Sequence, residues 1–379
     1  MKFATKTIHA GQMPDEATGA VVVPIYQTST YKQDEINAAR GFEYSRTGNP
    51  TRKALEECLA SLENGSFALA FSSGLAAEHA VLSTLKPGDH VIAVEDIYGG
   101  TYRLFEEVIK PYGIQFSYVG GSTKDFEKAI KPVTKMFWIE SPTNPLLRII
   151  DIPRVSAIAH KKNIKVVVDN TFASPFFQQP LLFGADLVVH STTKYIGGHS
   201  DLIGGALIVN DEEWYAKLKF LQNAVGTVPG AFDSWLMLRG IKTLSVRMKK
   251  HEENALLVAA FLENHPKINQ VYYPGLQSDP FHNLARQQMT GFGGIISFKL
   301  KKGDKETANS FFKKLKIISL AESLGGVESL ICYPAAMTHG SIQEEKRNAI
   351  GVTNDLIRLS VGIEDVEDLI EDLTEGLNY

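Results

Sequence analysis

The sequence predicts an α/β fold with a mostly parallel central sheet, followed by a smaller C-terminal α+β domain. Between residues 67 and 209, short apolar runs alternate with segments of helical periodicity, which is the pattern of βαβ crossovers. From about residue 233 this alternation stops. A chain of 379 residues also exceeds what one hydrophobic core usually organises. We therefore predict an arm over residues 1–43, a larger domain over 44–237 and a smaller domain over 238–379.

The first 43 residues show no sustained hydrophobic period and contain turn residues such as Gly11, Pro14 and Gly19. A segment of this kind lacks the apolar spacing from which a core of its own could be built. We expect it to lie as an arm over another part of the assembly, such as a neighbouring subunit.

Residues 44–53, YSRTGNPTRK, precede a helix that we predict from Thr51 to Leu62. One interpretation is a polar loop that ends in a helix N-cap. The other is that Tyr44 and Arg46 reach a phosphate dianion, which a guanidinium group binds well. This segment alone leaves both interpretations open.

Residues 67–89, FALAFSSGLAAEHAVLSTLKPGD, predict a strand, a small-residue turn, a helix and a Pro-Gly stop. A turn of this kind exposes backbone N–H groups at a helix N-terminus, where anions bind. We therefore place a phosphate near Ser73, Gly74 and Leu75. The spacing is neither that of a dinucleotide-binding Rossmann turn nor that of a P-loop. A strand-turn-helix unit without a ligand remains the alternative.

Other polar residues stand where predicted strands end. The ring of Tyr98, in DIYGG, could stack on a planar cofactor or simply pack against the protein. Asn144 lies between two prolines in SPTNP, where its amide could bind a ligand or form an Asx turn. His190 and His199 have no carboxylate or third ligand at metal spacing, so we interpret both as structural.

Two β-branched runs end on groups of opposite charge. In KVVVDN, residues 165–170, the β-branched run leads to Asp169, and ADLVVHSTTKYIGG, from residue 185, leads to Lys194. In an α/β sheet both side chains would lie at strand carboxyl ends, where such folds bind ligands. A partly desolvated lysine can form a Schiff base, and an aspartate can pair with a pyridinium nitrogen. Either run alone fits an ordinary strand, but together they indicate pyridoxal phosphate.

The second half predicts a long helical stretch over residues 233–266, then strands at 268–273, 293–300 and 356–362. Arg358 interrupts the last of these strands, which is otherwise apolar. Its cation must find a partner in the core. That partner could be a structural carboxylate or the carboxylate of a bound substrate.

Composition narrows the classes of protein further. The chain is 44% hydrophobic and 22% charged, with a net charge of −4, so we expect neither nucleic-acid nor membrane binding. The N-terminal residues show no apolar export signal. The two cysteines, Cys58 and Cys332, fall in apolar patterns and are expected to be buried packing residues. We expect a cytoplasmic protein.

With these residues in view, the chain resembles the transsulfuration group of pyridoxal-phosphate enzymes, the cysteine and methionine metabolism family, over essentially its full length. The matching segments are YSRTGNPT, FSSGLAA, DIYGGTYR, ESPTNP, VVDNTF, HSTTKYIGGHSD, LAESLGGVESL and LIRLSVGIED. Eight matches in the same order are highly specific for this family.

The resemblance implies a fold-type-I, aminotransferase-like architecture, a homotetramer of two dimers, and active sites shared between two subunits. It implies that Lys194 forms the imine with the cofactor, that Asp169 pairs with its ring nitrogen, and that Tyr98 stacks on its ring. Cofactor-binding residues implied within one subunit are Gly74, Leu75, Ser191 and Thr193, which join Ser73 from the helix-start argument above. Those implied from the neighbouring subunit are Tyr44 and Arg46. Substrate-binding residues implied are Tyr44, Arg103, Asn144, Glu322, Ser323 and Arg358.

Within the family, the resemblance is closest to bacterial enzymes of cystathionine γ-elimination. The implied reaction gives cysteine, 2-oxobutanoate and ammonia, and Tyr98 and Lys194 are its implied proton donors. Gly100 and Glu322 differ from the residues usual in methionine γ-lyases, and Glu322 from the aromatic residue usual in cystathionine β-lyases. The γ-synthase reaction, in which cysteine replaces the acyloxy group of an O-acylhomoserine, remains the alternative because both groups share LAESLGG. A non-catalytic cofactor-binding module is a third interpretation.

Overall fold

The protein was analysed as a computed structural model that describes residues 1–340 and 342–378. Ser341 and Tyr379, which both fall in the predicted C-terminal domain, lie outside the described residues. The strands are β1 Phe67–Phe71, β2 His90–Val94, β3 Gln115–Val119, β4 Thr134–Glu140, β5 Lys165–Asp169, β6 Leu187–Ser191, β7 Gly205–Val209, β8 Ile268–Tyr272, β9 Ile295–Leu300, β10 Ser319–Leu320, β11 Leu330–Cys332 and β12 Leu356–Ser360.

The α-helices are α1 Phe3–His9, α2 Pro50–Leu62, α3 Gly74–Leu82, α4 Gly99–Arg103, α5 Thr123–Ala129, α6 Ile152–His160, α7 Ser174–Phe177, α8 Glu212–Val225, α9 Ala231–Ile241, α10 Leu244–Glu263, α11 His282–Gln288, α12 Lys305–Lys314, α13 Glu344–Ala349 and α14 Val366–Leu377. A π-helical turn, Leu104–Ile109, continues α4, and 3₁₀ turns occupy Lys110–Tyr112 and Pro180–Phe183.

The central sheet has seven strands in the order β1-β7-β6-β5-β4-β2-β3. Strand β7 is antiparallel to both of its neighbours, and the other neighbouring pairs are parallel. Six strands therefore point the same way and bring their carboxyl ends to one edge. Helices cover both faces, which explains why the strands β2, β5 and β6 are apolar along nearly their whole length. This architecture confirms the predicted mostly parallel α/β fold.

A second, smaller sheet follows, with five strands in the order β10-β11-β12-β9-β8. Strand β12 lies in its middle, antiparallel to both neighbours, and one face packs on α10, α12 and α14. The core there contains Phe298, Phe311 and Ile357, all fully buried. Because Arg358 follows Ile357 along β12, its side chain points to the opposite face of the sheet, toward the larger domain.

The stretch predicted as one helix over residues 233–266 is divided. Helix α9 ends at Ile241 and α10 begins at Leu244. The guanidinium of Arg247 donates to the backbone oxygens of Gly240 and Tyr195, both at 2.8 Å, so it binds a carbonyl that the first helix leaves free at its end. Apolar periodicity continues through this junction, and for that reason the sequence predicted a single helix.

The predicted arm has two parts. Helix α1 packs on its own chain, where Lys6 donates to the backbone oxygen of Ser61 at 2.8 Å and Gln12 is buried beside Cys58. Residues 13–43 are largely exposed and present apolar side chains to solvent, including Val21 at 78% and Ile36 at 94% exposure. Residues 13–43 therefore match the expectation of an arm without a core of its own, whereas α1 packs on the larger domain.

Both cysteine thiols are free and buried, as predicted. Among the described residues, no helix combines the length and the apolar character that crossing a membrane requires.

Candidate active site

The carboxyl-terminal edge of the central sheet opens into a cavity of about 250 Å³. This is the edge at which α/β sheets bind their ligands. The cavity is closed on its other side by segments of the smaller domain. Its lining residues are Ser73, Gly74, Leu75, Glu78, Tyr98, Glu140, Asn144, Asp169, Thr171, Phe172, Ser191, Thr193, Lys194, Ile203, Glu322, Ser323, Leu324, Thr338 and Arg358.

One end of the cavity is suited to a phosphate group. Ser73 caps helix α3, its hydroxyl accepting from the backbone N–H of Ala76 at 3.0 Å, and Ser191 and Thr193 line the same cavity. The first N–H groups of α3 have no partner within the helix, so they are donors for an anion. At Gly205 a Cβ would lie 2.1 Å from the backbone oxygen of Ser73, so only glycine permits this close approach.

Lys194 follows strand β6 by three residues, and its side chain is largely buried in the cavity. Its amine donates to the hydroxyl of Ser323 at 2.6 Å. Burial, and secondarily the positive charge of Arg358, lowers the pKa of the Lys194 amine to about 8, whereas Glu322 acts in the opposite direction. A substantial fraction of this amine is therefore unprotonated and nucleophilic near neutral pH.

Asp169 is the last residue of β5, and its carboxylate accepts from the backbone N–H of Thr171 at 2.9 Å. Burial raises the pKa of Asp169, while the hydrogen bonds from Thr171 lower it. A buried carboxylate lacking an ion-pair partner is stabilised when a cationic N–H group is placed beside it. The site thus suits a protonated pyridine nitrogen.

Tyr98 precedes helix α4 and forms one wall of the cavity. Its backbone N–H donates to Oε2 of Glu140 at 2.9 Å, which fixes the start of that helix. Burial raises the pKa of the Tyr98 phenol, although the positive charge of Arg103 acts against this rise. The phenol therefore keeps its proton at neutral pH, and its ring presents a flat surface for stacking.

Arg358 brings a buried positive charge to the cavity from the smaller sheet. Its side chain is 2% exposed and donates to Oδ1 of Asn144 at 2.9 Å and to the backbone oxygen of Ser323 at 3.0 Å. The described residues provide no carboxylate within ion-pair distance of it. A buried cation held only by neutral acceptors is suited to an anionic ligand.

Three predicted residues lie outside the cavity of the single chain. Tyr44 and Arg46 are exposed, with the guanidinium of Arg46 5.5 Å from the centre of the Tyr44 ring and donating to the backbone oxygen of Asn223 at 3.2 Å. Arg103 is also exposed, and its charge reaches the cavity only through its effect on Tyr98. The other predicted site residues all line the cavity.

Several lining residues were not predicted from the sequence, namely Glu78, Glu140, Thr171, Phe172, Ile203, Leu324 and Thr338. For two of these residues, the sequence contains a pattern from which they could have been predicted. Glu140 ends the apolar run of β4 and pairs in register with Asp169, so it repeats the pattern that singled out Asp169. Glu78 lies four residues after Gly74, which places both on the same side of α3.

Neither histidine near Lys194 lines the cavity. His190 lies 2.5 Å from a carboxylate oxygen of Glu63, and both side chains are buried. His199 contacts the backbone oxygen of Gly197 at 2.9 Å. Within residues 1–340 and 342–378, no group of three or more histidine, cysteine or acidic side chains is arranged to hold a metal ion.

Comparison with known proteins supplies the context for this geometry. Residues 4–378 match the family described as Cys/Met metabolism PLP-dependent enzymes. The chain is 52% identical to cystathionine gamma-lyase of Bacillus subtilis, covering 100% of this chain and 99% of that protein. It is 53% identical to cystathionine gamma-synthase of Mycobacterium bovis, covering 99% and 96%, and 52% identical to cystathionine beta-lyase of Lactococcus lactis subsp. cremoris, covering 98% of each.

A solved structure gives the same result for the fold. The crystal structure of cystathionine gamma-lyase from Lactobacillus plantarum complexed with L-serine superimposes with a TM-score of 0.97 and 46% identity, covering 100% of this chain and 99% of that one. The cavity fits the family's cofactor, since an anion-binding helix end, a lysine and a carboxylate line a single space. The chain therefore belongs to the family of Cys/Met metabolism enzymes that depend on pyridoxal 5'-phosphate.

Proposed function

We propose that this protein catalyses γ-elimination on cystathionine, giving cysteine, 2-oxobutanoate and ammonia. The observation that carries the proposal is the buried guanidinium of Arg358, which has no carboxylate partner among the described residues and shares a cavity with Lys194. An amino-acid substrate brings both a carboxylate for Arg358 and an amine that can displace Lys194 from the cofactor.

Charges in and near the cavity support a substrate with two amino-acid ends. Glu322 lines the cavity and is exposed, and its field acts on Lys194 in the sense opposite to that of Arg358. Arg103 lies close enough to affect the pKa of Tyr98. Cystathionine carries an ammonium and a carboxylate at each end, so its distal end would meet both signs of charge here.

The predicted cavity residues would divide the work of the reaction among them. Pyridoxal phosphate, when bound, supplies an electron sink for the electron pair that remains when a proton leaves the substrate Cα. Ser73, Gly74, Leu75, Ser191 and Thr193 would hold its phosphate, and Asp169 would keep its ring nitrogen protonated. The freed amine of Lys194, with a pKa of about 8, would accept the Cα proton. A second proton would then leave the substrate Cβ, and its electron pair would form a Cβ–Cγ double bond as the Cγ–S bond breaks. The protonated phenol of Tyr98, or the ammonium of Lys194, would donate a proton to the departing sulfur, and water would complete the release of 2-oxobutanoate and ammonia.

We further propose that each active site is completed by a second subunit, in a homotetramer built from two dimers. Tyr44 and Arg46 are exposed in the single chain, although the arginine could bind phosphate. The preceding segment, residues 13–43, exposes apolar side chains that a partner would cover. Free, buried thiols at Cys58 and Cys332 support action in a reducing compartment, which we propose to be the cytoplasm.

Two related reactions are the competing candidates. The relative from Mycobacterium bovis is named a gamma-synthase, and γ-replacement on an O-acylhomoserine by cysteine would use the same lysine, aspartate and arginine. The relative from Lactococcus lactis is named a beta-lyase, which favours testing β-elimination as well, although Glu322 argued against it in the sequence. A non-catalytic cofactor-binding module is disfavoured because it would not need Lys194, Asp169 and Arg358 together.

The experiment is to incubate the purified enzyme with cystathionine, and separately with an O-acylhomoserine plus cysteine, and to identify the products. Formation of 2-oxobutanoate and cysteine from cystathionine supports γ-elimination. Pyruvate and homocysteine would instead assign β-elimination, and net formation of cystathionine in the second mixture would assign the synthase. The variant Lys194→Ala is the control for chemistry outside the cavity, and it should give no product in any mixture.

A further inference from the structure

Three acidic side chains lie around the inner part of the cavity, and two of them have no assigned role. Asp169 and Glu140 end neighbouring parallel strands and pair directly in register. Glu78 reaches the same cavity from helix α3. All three are buried, with exposed fractions of 8%, 4% and 3% for Asp169, Glu140 and Glu78. Three carboxylates cannot all be ionised in so closed a space without compensating cations.

The hydrogen bonds of Glu78 distinguish it from the other two acids. Its Oε1 accepts from the hydroxyl of Thr101 at 3.0 Å, whereas Oε2 is buried and has no hydrogen-bond partner among the described residues. Asp169 and Glu140, by contrast, each accept from a backbone N–H, those of Thr171 and Tyr98. Glu78 therefore has one oxygen that is held by a hydrogen bond and one that is left without a partner in the wall of the cavity.

The state of this carboxyl group follows from its surroundings. Burial, and then the negative charge of Asp169, raises the pKa of Glu78 well above its ordinary value, and the single bond from Thr101 opposes this only in part. The ionisable groups coupled to it are Asp169, Glu140 and the phenol of Tyr98, and none of these supplies a positive charge. A protonated carboxyl group is a hydrogen-bond donor, which an ionised one is not.

We propose that Glu78 is a further cofactor-binding residue of this enzyme, a neutral carboxylic acid whose Oε2 hydroxyl donates a hydrogen bond to bound pyridoxal phosphate. The bond from Thr101 to Oε1 leaves the proton on Oε2 of a side chain that lines the cavity. A neutral donor here also leaves Asp169 as the charged acid that pairs with the ring nitrogen. A second carboxylate beside it would hold the anionic phosphate cofactor less tightly.

A purely structural role for Glu78 predicts a different outcome. If its only purpose were the bond to Thr101, then replacing both partners by apolar groups of similar shape would change stability little and cofactor binding not at all. The paired substitution Glu78→Leu with Thr101→Val makes this replacement and leaves no orphaned hydroxyl. The substitution Glu78→Gln keeps an acceptor for Thr101 and a neutral donor for the cavity.

The experiment measures cofactor affinity and protein stability separately. Cofactor-free full-length protein is titrated with pyridoxal 5'-phosphate, and the visible absorbance gives an apparent dissociation constant. Thermal unfolding of the cofactor-free protein is followed by circular dichroism. Glu252→Gln is the matched control, because Glu252 is another partly buried glutamate with a burial-raised pKa, and it accepts from the backbone N–H of Phe292 outside this cavity.

We expect Glu78→Gln to bind the cofactor as the parent does, and the paired variant to bind it about fivefold to tenfold more weakly, the value of one net hydrogen bond. The paired variant should melt no lower than the parent when cofactor-free, since a buried polar group has been removed. Unchanged affinity in the paired variant would overturn the proposal, as would a loss in Glu78→Gln as large as in that variant. No substrate is used, so the result is independent of which elimination or replacement reaction the enzyme catalyses.

Discussion

The protonation state of Lys194 can be tested through the rate at which the enzyme takes up its cofactor. Only the unprotonated amine attacks the aldehyde of pyridoxal phosphate. With a pKa of about 8, roughly one tenth of the Lys194 amine is unprotonated at pH 7. An ordinary lysine with a pKa of about 10.4 would be unprotonated in well under one molecule in a thousand at that pH. Burial in the cavity therefore increases the reactive fraction about two hundredfold or more.

The assay mixes cofactor-free enzyme with excess pyridoxal phosphate by stopped flow between pH 7 and pH 10, where the phosphate stays a dianion. The second-order rate constant should rise about tenfold over this range and level off above about pH 8.5. A rate constant that keeps rising through pH 10, by several hundredfold in total, would refute the inference that the cavity lowers the pKa of Lys194. Lys194→Ala, which lacks the amine, should show no lysine-bound absorbance.

Two charge substitutions test the causes of the lowered pKa. Arg358→Met removes a positive charge that lowers the pKa of Lys194, so the inflection should move to higher pH. Glu322→Gln removes a negative charge that raises the pKa, so the inflection should move to lower pH. Both displacements should be smaller than the total lowering, because burial is its largest cause. Displacements of the opposite sign would show that these charges do not act directly on the amine.

Three further outcomes are expected. Lys194→Met should stabilise the cofactor-free protein at pH 7 by about 1–3 kcal/mol, because the lowered pKa of Lys194 destabilises the fold below pH 8. This destabilisation fades as the pH rises toward 10.5, so the gain should be smaller at pH 10. Urea unfolding at pH 7 and pH 10 measures both gains, and equal gains would contradict the reasoning. Arg358→Lys should retain the visible absorbance of the bound cofactor but lower kcat/KM about tenfold to hundredfold, because an ammonium cannot form the paired hydrogen bonds of a guanidinium. Steady-state kinetics with cystathionine measure this loss. Mixing Arg46→Ala with Lys194→Ala subunits should restore activity to about a quarter of the parent value. Half of the dimers would be mixed, and one of the two sites in each mixed dimer would combine an intact Lys194 with an intact Arg46. Mixtures no more active than the separate variants would remove the support for shared sites.

The sequence predicted the parts of the site that depend on strand ends. Asp169 and Lys194 were singled out because each follows a β-branched run, and in a parallel sheet such runs end at one edge. Arg358 was found because a charge in an apolar strand needs a partner. The pairing of these three groups in one cavity could not be read from spacing, since Arg358 comes from a different sheet.

Other features of the structure could not be predicted from the hydrophobic periodicity of the sequence. Glu78 is an ordinary helical glutamate in the sequence, and only the structure shows that it is buried, with Oε2 unpartnered among the described residues. The junction of α9 and α10 depends on Arg247 reaching back to Gly240, a contact that apolar spacing does not encode. The segment that carries Tyr44 and Arg46 left their role open, the family resemblance implied it, and both residues lie outside the cavity of the single chain.

The position of Arg358 on β12 affects how substrate specificity could change between homologues. The residues that would hold the cofactor are carried by the larger domain, whereas Arg358 is carried by β12 of the smaller sheet, whose opposite face packs on the core of Phe298, Phe311 and Ile357. Exchanging the smaller sheet and its helices between homologues should thus retune substrate choice while leaving the bound coenzyme's colour unchanged. The smaller domain could therefore diverge in sequence, or be replaced, while the cofactor chemistry of the larger domain stays the same.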